Sequence, residues 1–332
     1  MATLASVGEF AFIDAIETMA SGASRRSVPV GIGDDAAVVN CGSATLLSVD
    51  SAVENVHFRR EWISPRMLGR RAFRVAASDL SAMGGKSRFV LLSIGAPDSL
   101  EFAYARSMVS GLIADAEDAG AFLVGGNVAA ARDLSLHVTV VGEATGPPIL
   151  RSGAKAGDAI WVTGTPGDAA AGVELLQNGK TSGHLVSAYR TPPFRGNVTR
   201  RLASAGVVTS MIDVSDGFVQ DTGHICEASS KRALVDLESV PVSSALRRAC
   251  KSGALSKDAP FYALQGGEAY ELVFTSPDDA KSRRRILRAC HDADCMVTRV
   301  GSMARPVDGS PGVYTPDGRS LHGGFSHYGR KR

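Results

Sequence analysis

The feature that most constrains the fold is an alternation of apolar strand patterns with helical spacing, which occurs on both sides of one turn cluster, Thr145-Gly146-Pro147-Pro148. Before the cluster, strand patterns at 46–49, 89–94 and 134–141 alternate with helical patterns at about 64–83 and 99–119. After it, strand patterns at 159–163, 210–214 and 269–275 alternate with helical patterns at 167–177 and 218–229. The pattern predicts an α/β or α+β fold with two domains, residues 1–147 and 148–332.

Composition excludes several classes of protein. With 332 residues and 44% hydrophobic residues, the chain can bury a real core, and a net charge of +2 argues against nucleic acid or a membrane surface as the main partner. Five scattered cysteines without a C-x-x-C motif indicate neither a zinc site nor a disulfide framework. The N-terminal stretch 1–20 is acidic and reads as an amphipathic helix, and the apolar runs are too short to cross a membrane. We therefore expect a soluble cytoplasmic protein.

Carboxylates recur where strands and small-residue stretches end. They are Asp34 and Asp35 after a glycine-rich turn, Asp50 at the end of the first strand pattern, Asp79 after Ser78, and Asp213 and Asp216 around Ser215. Like charges repel when they are gathered, unless a cation neutralises them, and oxygen ligands without His or Cys suit Mg²⁺ better than zinc. The alternative is that each acid caps a turn or a helix, since convergence of the set in space is an assumption.

Two glycine-containing segments are candidates for phosphate binding. Gly125-Gly126-Asn127 follows an apolar run, and residues 164–168 open a helical pattern, so we interpret both segments as turns. The backbone N–H groups of such a turn can bind an anion. The alternative is that each turn has only a structural role. The chain has no P-loop, Rossmann or nucleophile-elbow motif. His57 and Arg151 each have two interpretations: His57 as a substrate contact or a hydrogen-bonded half-buried histidine, Arg151 as a phosphate clamp or a solvated charge.

Taken together, the motifs resemble those of the thiamine-monophosphate kinase family, which belongs to the superfamily of aminoimidazole ribonucleotide synthetase. The resemblance covers nearly the whole chain. In chain order it rests on Gly8-Glu9-Phe10, Gly31-Ile32-Gly33-Asp34-Asp35, Val49-Asp50, His57-Phe58, Ser78-Asp79-Leu80-Ser81-Ala82-Met83-Gly84, Arg151-Ser152-Gly153-Ala154, Thr163-Gly164-Thr165-Pro166-Gly167-Asp168, Ile212-Asp213-Val214-Ser215-Asp216-Gly217, Gly266-Gly267-Glu268 and Gly324-Phe325-Ser326-His327-Tyr328.

The resemblance implies direct transfer of the γ-phosphoryl group of ATP onto thiamine monophosphate, with several Mg²⁺ ions between the two phosphate chains. It also implies a homodimer in which the N-terminal sheets of two subunits join, next to an α/β C-terminal domain. By motif match, the metal ligands would be Asp35, Ser48, Asp50, Asp79, Asn127, Asp213 and Asp216. ATP would contact Gly126, Asn127, Arg151 and Ser215, and the thiamine substrate would contact His57, Glu268 and Phe325.

The chain departs from the family pattern at several of these motifs. Asn127 stands where the family has a metal-binding Asp, and apolar residues stand where polar ones are usual at Val49, Ala76, Val128, Ala129 and Ala269. An amide oxygen can still ligate Mg²⁺, but one negative charge is lost. The departures leave two alternatives open: another ATP-using enzyme of the superfamily with a different small acceptor, or a paralogue with weakened or lost activity.

Overall fold

The structure is a computed structural model that describes residues 29–30, 34–35, 37–40, 44–307 and 309–325. The expected N-terminal helix, Gly8-Glu9-Phe10, the glycine-rich turn at 31–33 and residues 326–328 lie outside the described residues. Within the described part, no helix is both long and apolar enough to span a membrane.

The first half of the chain forms a five-stranded sheet with two helices on one face. In chain order the elements are β1 (Ala37–Asn40), β2 (Ala44–Val53), α1 (Pro65–Ala82), β3 (Gly85–Ala96), α2 (Phe102–Asp118), β4 (Phe122–Ala130) and β5 (Ser135–Ala144). The strand order is β1-β2-β5-β3-β4, and all neighbours are antiparallel except β3 and β4. The first helical pattern therefore corresponds to α1, which begins after the N-cap Ser64 and the N-terminal Pro65.

The second half forms a seven-stranded sheet that starts at residue 158. Its elements are β6 (Asp158–Thr163), α3 (Asp168–Gln177), α4 (His184–Arg190), α5 (Gly196–Ala205), β7 (Ser210–Val214), α6 (Phe218–Ser229), β8 (Arg232–Val235), α7 (Ser244–Lys251), α8 (Ala259–Gln265), β9 (Glu271–Pro277), α9 (Ala280–His291), β10 (Val297–Ala304), β11 (Gly312–Tyr314) and β12 (Ser320–Leu321). The strand order is β12-β11-β8-β10-β6-β9-β7. The predicted mixed α/β class is confirmed.

Of the two glycine-turn interpretations, the first is wrong and the second keeps its structural alternative. Residues 125–127 do not form a turn, because β4 runs straight through them and pairs with Leu91–Ser93 of β3. The 164–168 segment does open α3, but Asp168 occupies the first turn of that helix and accepts hydrogen bonds from Thr165 and Ser243. The buried carboxylate of Asp168 already interacts with the positive end of the helix dipole, so the N-terminus of α3 does not favour binding of another anion.

The contact between α1 and α2 depends on two glycines. A Cβ atom built on Gly69 would lie 1.8 Å from the Met108 carbonyl oxygen, and one on Gly111 would lie 1.9 Å from the Arg66 carbonyl oxygen. Each glycine therefore lets the backbone of the other helix approach. Since α1 carries Ser78 and Asp79, the position of this helix also sets the position of candidate site residues.

We expect Gly69→Ala to lower the free energy of unfolding by about 1–3 kcal/mol, because the new methyl group meets backbone that cannot move away. The matched control is Gly223→Ala in α6, where nothing lies within 4 Å of the added Cβ. That change should be neutral or stabilising by about 0.5–1 kcal/mol, since alanine favours a helix over glycine. Urea denaturation of both variants measures the difference, and equal effects would contradict the close-packing argument.

Candidate active site

Three carboxylates from distant parts of the sequence meet between the two sheets. One oxygen each of Asp35, Asp79 and Asp213 lies within 4.8 Å of the others. Asp79 belongs to α1 and Asp213 to β7, and the Ser78 hydroxyl donates to Asp213 Oδ2 at 2.6 Å across the two halves of the chain. The Ser48 hydroxyl of β2 donates to Asp79 Oδ2. The predicted convergence of these acids is therefore present.

The electrostatics of this cluster are unfavourable without a cation. Burial raises the pKa of Asp35 to about 7, despite the Arg151 guanidinium that pairs with it. Burial also raises the pKa of Asp79 well above its ordinary value, and repulsion from Asp213 and Asp35 adds to the effect. The pKa of Asp213 is raised by burial as well. A cation bound between these carboxylates would lower their pKa values and so favour their ionised forms.

The donor set fits a divalent cation. Asp35 Oδ2 is buried and has no hydrogen-bond partner within the described ranges, so it is an orphaned acceptor beside two other carboxylates. An unpaired buried acceptor is costly unless something binds it. All the ligand atoms are oxygens, which is the preference of Mg²⁺. Asp35, Asp79 and Asp213 are therefore the residues that could hold the ion.

A second group of charged side chains lines a small cavity next to the cluster. Its walls include Asp50, His57, Arg71, Glu268 and Tyr270. Burial, together with the charges of Glu268 and Asp213, raises the pKa of Asp50 to about 6. His57 is half-buried and its Nδ1 accepts from the Val53 N–H at 3.1 Å. Two predicted substrate residues, His57 and Glu268, thus lie together in one cavity.

The loop that presents Glu268 has an unusual backbone. Glu268 has φ +68° and Tyr270 has φ +49°, which side-chain-bearing residues seldom adopt. The loop is held there by two backbone hydrogen bonds, from Glu268 N–H to the Ser215 carbonyl at 2.7 Å and from Tyr270 N–H to the Val214 carbonyl at 2.8 Å. Such strain persists only where the surroundings enforce it, and it concentrates at functional sites. The predicted ATP contact Ser215 thus supports the loop through its backbone.

Asp216 and Phe325 lie together at the edge of the site. The Phe325 N–H donates to the Asp216 carbonyl at 2.9 Å, and Gln220 Nε2 donates both to Asp216 Oδ2 at 3.2 Å and to the Phe325 carbonyl at 3.0 Å. The Phe325 side chain is half exposed. Asp50 and Asp216 are not among the three acids whose oxygens lie within 4.8 Å.

Gly126 and Asn127 are not brought to the acidic cluster within one chain. Asp50 is paired across β5 and β3 with Gly126 of β4, so the two residues are three strand spacings apart, roughly 14 Å. Asn127 pairs with Ser93, whose row also holds His137 and Ser51, so it lies on the opposite face of the sheet from Asp50. Its role as a metal or ATP ligand stays a prediction.

The departures at Val49 and Ala76 do not remove polar groups from the cluster itself. Val49 is 63% exposed on the outer face of the sheet, opposite the face that carries Ser48 and Asp50. Ala76 is fully buried in the apolar core of the first half. Ala269 is buried beside Glu268, within the strained loop.

Sequence reasoning missed Arg71 and Tyr270, which line the cavity. A usable signal exists for Arg71: it stands seven residues before Ser78 in α1, a spacing that places both on one face of a helix. A basic residue seven positions before the site serine lies on the same helix face, and where that face is buried the charge needs an acidic partner.

We expect Asp79→Asn to raise the melting temperature in the absence of divalent cations, because it removes one of three mutually repelling carboxylates while an amide oxygen can still accept from Ser48. The same change should reduce the rise in melting temperature that millimolar Mg²⁺ gives the unaltered protein. Thermal unfolding with EDTA and with Mg²⁺ measures both.

The matched control is Asp115→Asn in α2. Asp115 is also buried, but Arg70 and Arg74 neutralise it, so the change should lower the melting temperature and leave the effect of Mg²⁺ intact. A full Mg²⁺ response in Asp79→Asn would mean that the cluster does not hold the ion.

The chain matches two adjacent family models, AIR synthase related protein, N-terminal domain, over residues 33–144, and AIR synthase related protein, C-terminal domain, over residues 155–308. The thiamine-monophosphate kinase of Mycobacterium tuberculosis is 37% identical over 82% of this chain and 81% of that protein. The enzyme of that name from Aquifex aeolicus is 34% identical over 83% of this chain and 88% of that protein. The solved structure of AaThiL complexed with AMPPCP and TMP superimposes with a TM-score of 0.85 at 30% identity, covering 98% of this chain and 99% of that one. The chain belongs to the thiamine-monophosphate kinase family.

Proposed function

We propose that this protein transfers the γ-phosphoryl group of ATP to thiamine monophosphate and forms thiamine diphosphate. The observation that carries the proposal is the meeting of Asp35, Asp79 and Asp213 beside the cavity of His57 and Glu268. A cation-binding cluster next to a charged cavity provides for two phosphate-bearing substrates at once. The relative solved with AMPPCP and TMP supports this choice of substrates.

The main obstacle to the reaction is the repulsion between two polyanions, and bound Mg²⁺ supplies the positive charge that offsets it. Asp35, Asp79 and Asp213 would hold the ion, and the hydroxyls of Ser48 and Ser78 orient the carboxylates through the oxygens they bond. No side chain needs to form a covalent intermediate, so the contribution of the protein is positioning and charge.

The remaining predicted contacts fall on two sides of this cluster. Arg151 pairs with Asp35, and its planar guanidinium can turn part of its hydrogen-bonding capacity to the phosphates of ATP. His57 and Glu268 face the acceptor cavity. Phe325, half exposed near Asp216, offers an aromatic face at the mouth of the site for the ring of the acceptor.

The test is formation of ADP and thiamine diphosphate from ATP, Mg²⁺ and thiamine monophosphate, with product identified by chromatography. We expect product only when thiamine monophosphate and Mg²⁺ are both present. Asp213→Asn should lower kcat by at least about a hundredfold, because it removes a charge that acts on the transferring phosphoryl group. Asp115→Asn is the control, since that buried acid lies in the α1–α2 contact and should keep its kcat. ATP binding without turnover would favour the alternative of another acceptor.

We also propose a homodimer joined through the outer face of the first sheet. That face carries exposed apolar side chains, with Val49 63%, Phe89 46% and Phe122 57% exposed, and Leu91 beside them. Strand pairing places Phe89 opposite Phe122, so these side chains form one surface. The helices α1 and α2 cover the other face, which leaves this one for a second copy of the chain.

We expect Phe89→Asp to shift the protein from dimer to monomer, because it places a charge in the middle of the apolar surface. Leu287→Asp is the matched control: Leu287 of α9 is equally exposed, at 46%, but belongs to the second half of the chain. Sedimentation velocity at several concentrations gives the outcome. A dimer that persists in Phe89→Asp would place the interface elsewhere.

A cytoplasmic location completes the proposal. Cys226, Cys250, Cys290 and Cys295 are free thiols, and three of them are buried. Burial raises the pKa of Cys226 and of Cys290 to about 12, so these thiols stay protonated and unreactive. Such cysteines are typical of proteins that work in a reducing compartment.

A further inference from the structure

We propose that Arg71 is a positioning residue for the acceptor: it holds one oxygen of Glu268 so that the other faces an N–H-donating heterocycle of the substrate. The inference rests on the proposed function, whose acceptor carries such a ring. It adds a residue that the motifs did not identify and names the part of the substrate on which that residue acts.

Arg71 is a buried charge whose guanidinium is held by several contacts. It is 6% exposed and lies in α1, yet its two terminal nitrogens contact the second half of the chain. Nη2 pairs with Glu268 Oε2, and Nη1 donates to the Tyr189 carbonyl. The guanidinium lies over the Tyr189 ring, with 4.3 Å between its Cζ and the ring centroid, and 5.8 Å from the centroid of Tyr270.

The contacts of Glu268 are divided unequally between its two oxygens. Oε2 accepts hydrogen bonds from the Arg71 guanidinium and, at 3.3 Å, from the Tyr270 hydroxyl. Among the residues that the structure describes, no hydrogen bond reaches Oε1. Because the side chain is 29% exposed and lines the cavity, Oε1 is the oxygen that remains for a ligand. The strained backbone at Glu268 and Tyr270 fixes the same arrangement from the main-chain side.

The charges of the cavity indicate the kind of group that binds there. Two carboxylates, Asp50 and Glu268, face it, and the one guanidinium that lines it, Arg71, forms an ion pair with Glu268 alone. A cationic or N–H-donating ring is favoured by such a cavity, whereas an anionic ring is excluded. A carboxylate oxygen fixed in advance also loses less entropy on binding than a mobile one. Thiamine monophosphate has both a cationic ring and an exocyclic amino group.

The experiment compares Arg71→Gln and Arg71→Lys with the unaltered protein, using thiamine monophosphate and its analogue in which oxygen replaces the exocyclic amino group. For Arg71→Gln we expect KM for thiamine monophosphate to rise at least about tenfold, with KM for ATP unchanged. Arg71→Lys should recover part of the loss. The preference of the unaltered protein for thiamine monophosphate over the analogue should largely disappear in Arg71→Gln.

Two further variants keep the test decisive. Tyr270→Phe removes only the second hydrogen bond to Oε2, so it should reduce the same preference by a smaller factor, without the folding risk of an unpaired buried charge. Arg70→Gln is the matched control on the same helix, because Arg70 pairs with Asp115 of α2 and should leave both KM values unchanged.

The outcomes separate the two proposals. If the unaltered protein makes no product from thiamine monophosphate, the proposed function falls and this inference falls with it. If the unaltered protein is active but Arg71→Gln and Tyr270→Phe weaken thiamine monophosphate and the analogue by the same factor, or raise KM for ATP equally, Arg71 has only a structural role and the inference is overturned while the function stands.

Discussion

The mutual repulsion of buried carboxylates is the constraint on which the rest of this structure depends. Folding brings Asp35, Asp79 and Asp213 within 4.8 Å of one another, and burial raises the pKa of each, so the native state has a local electrostatic cost. Such a cost persists in a protein when the destabilised groups do something that a relaxed arrangement could not. Under the proposed function, this arrangement would provide affinity for the cation that the phosphate-bearing substrates also need.

The helix α1 is the element that makes this arrangement possible. Its N-terminal half packs on α2 through Gly69, while its C-terminal half reaches the second sheet, where Ser78 bonds Asp213. Arg71, on the same helix, extends to Glu268 and to the Tyr189 carbonyl. One helix therefore contacts both the carboxylate cluster and the cavity of Glu268, and under the proposed function the two substrates would be positioned relative to the same element.

The sequence predicted the parts of this site that depend on local pattern. The family, the fold class and the bounds of α1 within one or two residues are confirmed, because Ser64-Pro65 and the apolar spacing are local signals. The turn at Gly125-Gly126-Asn127 was wrong, because strand pairing with β3 outweighs the local preference of two glycines. The face on which Asn127 lies depends on strand register, which a single sequence does not display. The role of Arg71 was not predicted, because its ion-pair partner Glu268 is 197 residues away in the chain.

The two arginines of the site lie on different sides of it, and the difference bears on how the protein could select its acceptor. Arg151 pairs with Asp35 in the carboxylate cluster, so under the proposed function it would act where the phosphate donor binds. Arg71 pairs with Glu268 in the cavity, so under the proposals above it would act on the part of the acceptor that differs from one substrate to another. A change at Arg151 should alter catalysis for every acceptor, whereas a change at Arg71 should alter the choice among them. Related enzymes with the same cation cluster could thus take different acceptors by exchanging the residues around a position such as Arg71, without disturbing the carboxylates that make phosphoryl transfer possible.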